Sequence, residues 1–137
     1  MRRPKGLYVM GSPFFEMVYG PRERADLELL VDIYAPPQTP ESIRANPALL
    51  EDCEMIFSSW GGPKIDETFL DAAPRLKVVF YAAGAANSLI TDAMWQRGVQ
   101  LTSAYVANAV PVVEYTLSMI LFSLKQGWRY VREIKSR

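Results

Sequence analysis

The chain contains no histidine. The commonest general base and the commonest metal ligand are therefore both missing. Its one cysteine, Cys53, rules out an internal disulfide and reads as a buried packing residue rather than a nucleophile. Neither sign of charge dominates: 15 Lys plus Arg stand against 15 Asp plus Glu. No global field therefore points to nucleic acid or to an anionic membrane. The eight glycines never form G-x-G-x-x-G, and there is no P-loop, Cys/His cluster or G-x-S-x-G. The N-terminal run MRRPKGLYVMGSPFF is broken by Gly11 and Pro13 and lacks a signal-peptide core. No run approaches the roughly 18 apolar residues that a membrane span needs. A soluble, cytoplasmic protein without a metal site is the expectation.

What is present is apolar and punctuated. Half of the 137 residues are hydrophobic, enough for one domain with a real core. Leu7 to Met10 reads as a first strand closed by Gly11-Ser12-Pro13, and Phe14 to Tyr19 is ambiguous. Pro21 opens a helix, and Val31 to Tyr34 resembles a second strand stopped by Pro36-Pro37. A helical segment is expected around Pro47 to Glu51, and a third strand at Met55 to Ser58, ended by Trp60-Gly61-Gly62-Pro63. Asp66 to Ala73 reads as a helix. Leu76 to Ala82 (LKVVFYA) suits a strand buried on both faces. A helix around Ser88 to Gln96 closes at Gly98, a candidate left-handed residue. Val99 to Thr102 is the fifth strand.

A long helix follows. Val113, Leu117, Ile120 or Leu121, Leu124, Trp128 and Val131 recur at helical intervals. Asn108 is placed as its N-cap and Pro111 in its first turn. So apolar a helix at this point in the chain has little left to pack against, which leads us to expect a piece of something larger.

Strand and helix alternate five times with connections too long for hairpins. The pattern predicts an α/β fold, a doubly wound parallel sheet. In such sheets ligands bind outside the carboxyl ends of the strands. With a flavodoxin-like order, 2-1-3-4-5, that rim gathers Gly11-Ser12, Ser59-Trp60-Gly61, Ala83 to Ala86 and Ser103 to Asn108. Small residues at Gly84, Ala85 and Ala86 leave main-chain N–H groups open to an anion, or else form a tight turn against a neighbouring helix. Trp60 walls a pocket or caps the core. Asn108 either caps the helix or offers its amide to a ligand. Glu114 is sufficiently explained by the helix dipole. Strands one and three end in Gly-Ser and Ser-Trp rather than aspartates, which disfavours a phospho-accepting receiver domain.

The stretches SSWGGPKIDETFLDAAPRLKVVFYAAG, TDAMWQRGVQLTSA and ANAVPVVEYTLSMIL together resemble the D-isomer-specific 2-hydroxyacid dehydrogenase family. The resemblance runs from about Ala25 onward and is strongest from Met55 to Leu124. It implies a flavodoxin-like substrate-domain segment over residues 1–109 and a long interdomain helix and tail over 110–137. It implies that Gly84, Ala85 and Ala86 hold a substrate carboxylate, that Trp60 and Gly61 line the same pocket, and that Asn108 and Val112 lie near the nicotinamide. The usual family loop is closer to G-V-G-x-D-N. Here Ala86 takes the place of the second glycine, and Ser88-Leu89 stand where Asp-Asn is common.

The family's catalytic Arg, Glu and His lie beyond these residues. The chain is therefore expected to be inactive alone, with NAD or NADP serving the intact enzyme and binding this chain weakly. The expected partner is a small 2-hydroxy or 2-oxo acid, with a homodimer through the apolar helix as a further expectation. Two alternatives stand beside this reading: a stand-alone small-anion binding module, and an interaction protein using the helix from Val113 to Trp128.

Overall fold

A computed structural model describes residues 2–136. Five strands alternate with helices. They are β1 (Lys5–Tyr8), α1 (Phe15–Val18), α2 (Pro21–Leu30), β2 (Asp32–Ile33), α3 (Pro40–Ala45), β3 (Met55–Ser58) and α4 (Glu67–Ala72). There follow β4 (Val78–Tyr81), α5 (Asp92–Gln96), β5 (Gln100–Ser103), α6 (Tyr105–Leu124) and α7 (Gly127–Lys135). The strands form one sheet in the order β2-β1-β3-β4-β5, with every pairing parallel. The expected α/β class and strand order are both present.

The period-two alternation of strand residues divides the core between the two faces of this sheet. Leu7, Val9, Ile56, Val79 and Tyr81 belong to one cluster, completed by Ile43, Leu50, Phe69, Leu70 and Met94 from the helical segments. Tyr8, Met10 and Phe57 belong to the other, with Tyr19 and Val31. Leu7, Leu50, Ile56 and Val79 are fully shielded from water. Each such side chain contributes about 1.5–3 kcal/mol.

Local chemistry starts the helices. Asp66 accepts a hydrogen bond from the Phe69 N–H at 3.0 Å to cap α4. Thr91 does the same for α5 from Met94 at 3.2 Å. Helix α3 was not anticipated. It begins with a capping box in which the Ser42 N–H donates to Thr39 Oγ1 and the Thr39 N–H donates to Ser42 Oγ, followed by Pro40 in the first turn. The segment expected at 47–51 is a 3-10 turn, Pro47–Leu50.

The chain divides into two compact units, Met1–Ala104 and Tyr105–Arg137. In the second, three expectations need correcting. Helix α6 begins at Tyr105, so Asn108 is an interior residue instead of an N-cap, and Pro111 is its seventh residue instead of a first-turn one. Pro111 has no N–H to reach the Ala107 carbonyl, so one rung of the helix is missing. The apolar stripe is also not one continuous helix. Gln126 adopts φ 56°, and α7 starts anew at Gly127, where an added Cβ would strike the Phe122 ring. Phe122 and Trp128 meet edge-on across that break, 5.1 Å between centroids. Finally, α6 is long and apolar enough by length and composition to cross a membrane, and its residues are not buried in this chain. The expectation that no stretch reaches that size rested on uninterrupted apolar runs, whereas α6 has a single charged residue, Glu114, among its 20.

Candidate functional site

Parallel strands send all their exits to one rim. At this rim, in the first unit, β3 and β4 leave the sheet side by side, with Ser58 paired to Tyr81 and the Ala82 N–H bonded to the Ser58 carbonyl at 2.9 Å. Trp60 and the Ala83–Ala86 loop therefore emerge as neighbours, about one strand spacing (~4.8 Å) apart at their roots.

The loop after β4 is pinned from inside. Ala83, Ala86 and Leu89 are buried in the core. The Leu89 N–H donates to the Ala86 carbonyl and the Ile65 N–H to the Leu89 carbonyl, each at 2.9 Å. Ala85, Asn87 and Ser88 are exposed, and Gly84 is half-buried. Among the described residues, the main-chain N–H groups from Ala83 to Ser88 donate no hydrogen bond. Six successive donors without a protein partner are left for water or a ligand to satisfy. They constitute a row of partial positive charge where an anion can bind. Ala86 turns its methyl into the core cluster.

The loops after β1 and β3 are locked together. The Gly11 N–H donates to the Trp60 carbonyl at 3.0 Å, and Ser58 Oγ donates to the Val9 carbonyl at 2.8 Å. Gly61 has φ +69°, and a Cβ there would lie 2.9 Å from the Gly11 Cα. Only glycine meets both demands. Gly62 is also tightly held, because a Cβ there would run into Ser58 Oγ. Trp60 keeps 42% of its surface exposed and packs edge-on against Phe14, 5.7 Å between centroids and 63° between planes. Phe14 was missed from the sequence, where it lay in an ambiguous segment. Ser59 is fully buried, and its hydroxyl has no partner among the described residues.

The loops at 11–14, 59–62 and 82–90 contain no titratable side chain. Their main-chain N–H groups are of the kind that can bind an acid group, while their side chains offer no general acid or base. At its margin, burial pushes the Tyr81 phenol above its ordinary value. No group of three or more metal-ligating side chains occurs among the described residues. Two cavities lie elsewhere. One of about 370 Å³ is lined by Ile43, Leu50, Lys64 and Phe69, and one of about 420 Å³ by Tyr8, Arg24, Glu28 and Tyr34. Asn108 and Val112 belong to the second unit. They are one turn apart on α6, Asn108 half-buried and Val112 58% exposed.

No protein-family model matches the chain. Over 70 residues, 51% of the chain, it is 36% identical to the erythronate-4-phosphate dehydrogenase of Idiomarina loihiensis. This similarity supports the expected resemblance to the D-isomer-specific 2-hydroxyacid dehydrogenase family over part of one domain. The matched stretch is 18% of that relative's length. The fold agrees. A phosphoglycerate oxidoreductase from Rhizobium etli superimposes with a TM-score of 0.64 at 21% identity, covering 88% of this chain and 36% of that one. The D-lactate dehydrogenase from Aquifex aeolicus, complexed with NAD and lactic acid, gives 0.56 at 21% identity, covering 96% and 37%. The chain thus spans little more than a third of the length of these two solved structures.

Proposed function

We propose that this chain supplies the carboxylate-holding rim of a nicotinamide-dependent oxidoreductase acting on a small 2-hydroxy or 2-oxo acid. The observation that carries the reading is the row of unbonded N–H groups from Ala83 to Ser88, beside Trp60 and Gly61, at the carboxyl edge of a parallel sheet. Gly84, Ala85 and Ala86 receive the carboxylate, and Trp60 and Gly61 bound the pocket. Hydrogen bonds to the ionised form favour a bound carboxylate and need no side-chain charge. The dehydrogenase relatives, one of them complexed with NAD and lactic acid, support this class of reaction.

In this reading Asn108 and Val112 approach the nicotinamide of NAD or NADP. The dinucleotide's pyrophosphate does not fit the residues present. The strand-to-helix turns of this sheet lack G-x-G-x-x-G, and β5 enters α6 through Ser103-Ala104 without a glycine. We therefore assign cofactor binding and proton transfer to residues outside this chain, and derive no step through the cofactor. The purified chain is expected to show no turnover of NADH with small 2-oxo acids.

The test is an amide-resolved NMR titration with oxamate and D-lactate against a chloride control. Saturable shifts concentrated at residues 83–88 are the expected result. Scattered or chloride-like shifts would refute the reading. The exposed apolar residues of α6 favour a second role for that helix as a partner surface, a homodimer included. Sedimentation of a strictly monomeric, non-sticky chain would remove it.

A further inference from the structure

We infer that the acid selected by this rim carries an aromatic side chain, and neither a phosphate nor a second carboxylate. The inference rests on the proposed carboxylate-holding role of residues 84–86 and extends it to the rest of the ligand.

A carboxylate on the loop after β4 points the remainder of its molecule toward what borders that loop. Of the two exits that flank it, β3's and β5's, that of β3 carries the aromatic side chain Trp60 and is locked to the exit of β1 by the bond from the Gly11 N–H to the Trp60 carbonyl. Not one of the loops at 11–14, 59–62 and 82–90 carries Lys, Arg, Asp or Glu. A phosphorylated acid brings a second, concentrated negative charge, which binding sites ordinarily meet with Arg or Lys. Lys64, the first cation after β3, instead lines the cavity walled by Ile43, Pro63 and Phe69. These three loops have no side-chain cation to offset a second anion.

It does have a fixed aromatic surface. Trp60 is held at its carbonyl by Gly11, at its ring by Phe14 and at its C-terminal side by the left-handed Gly61 turn, yet 42% of its surface remains open. Such a ring has been ordered already by the fold, so stacking a ligand on it costs little further side-chain entropy. Edge-to-face packing on Phe14 leaves the remaining surface of the Trp60 indole for an offset-stacked or edge-on ring.

The experiment compares three probes on the whole chain, 3-phenyllactate, D-lactate and 3-phosphoglycerate, by NMR titration of the 84–86 amides and the Trp60 indole N–H. All three are expected to move the amides. Phenyllactate alone is expected to move the indole, and to bind about tenfold more tightly than lactate. Trp60→Ala and, separately, Phe14→Ala should narrow that ratio, with dispersed amide spectra showing that each variant folds. Equal affinity for phenyllactate and lactate, or a preference for phosphoglycerate, while the amides still respond, would overturn the aromatic assignment alone. Silence of the amides toward all three would overturn the carboxylate role and this inference with it.

Discussion

Alanine at Gly61 and at Gly98 tests whether the β1 and β3 exits are truly locked together. Both glycines have nearly the same left-handed backbone, φ +69° and +71°. An L-residue in that region costs roughly 1–2 kcal/mol, part of which is recovered because alanine also restricts the unfolded chain. At Gly98 nothing lies within 4 Å of an added Cβ, so this conformational cost stands alone. At Gly61 the same Cβ would be 2.9 Å from the Gly11 Cα and 3.0 Å from the Gly11 nitrogen, which is backbone and cannot rotate away. Overpacking of that kind adds about 1–3 kcal/mol. The expectation is a loss of about 1 kcal/mol for Gly98→Ala and about 2–4 for Gly61→Ala. With a urea slope of about 2 kcal/mol per molar, these are midpoint shifts of about 0.5 M and 1–2 M in far-ultraviolet circular dichroism. Gly61→Ala should also disturb the Gly11 amide resonance, whose bond to Trp60 must lengthen. Equal midpoints for the two variants, or a larger loss at Gly98, would show that the close approach of the two loops is not there.

Tyr8 is 2% exposed and its hydroxyl has no partner among the described residues. Tyr8→Phe should leave stability unchanged or raise it by up to about 1 kcal/mol in the same urea assay, because an unsatisfied buried donor is removed. Burial pushes the Cys53 thiol from 9.0 up to about 11, above any lowering by its hydrogen bonds. Its contribution is complete below pH 9 and is lost as pH rises toward 11, because the unfolded thiol ionises first. Cys53→Ala should flatten the stability curve over that window, and native Cys53 should resist a thiol reagent at pH 8 until urea unfolds the chain. Glu54 behaves in the opposite sense. The Lys77 ammonium at 2.8 Å, with the Lys5 N–H and Arg2, pulls its carboxyl from 4.5 down to about 2. Its contribution is present above pH 4.5 and lost as pH falls toward 2, so Glu54→Gln should blunt acid unfolding in that range, followed by circular dichroism.

Much of the fold was legible because the strands announce themselves. LKVVFYA is apolar without alternation and contains β4, although only Val79 and Tyr81 are buried there while Val78 and Phe80 on the other face are half-buried. Gly98 likewise stands where a left-handed residue ends α5. What failed was local choice overridden by neighbours. Asn108 has cap chemistry, yet α6 starts three residues earlier, and Pro111 is tolerated inside it. The capping box at Thr39 and Ser42 was hidden by the surrounding prolines, although its spacing and Pro40 were readable cues. At the site, the adjacency of the β3 and β4 exits followed from strand order alone. The Phe14–Trp60 contact did not, because it depends on how two loops from strands nearly 50 residues apart settle, and no periodicity encodes that.

The main-chain character of the loop after β4 also determines how its role can be found. Three of its central residues, Gly84, Ala85 and Ala86, have no side chain beyond a methyl group. A survey that substitutes alanine leaves Ala85 and Ala86 as they are and at Gly84 only adds a methyl, so it removes none of the N–H groups. Amide-to-ester replacement, which deletes one N–H at a time, is the perturbation to which such a grip responds.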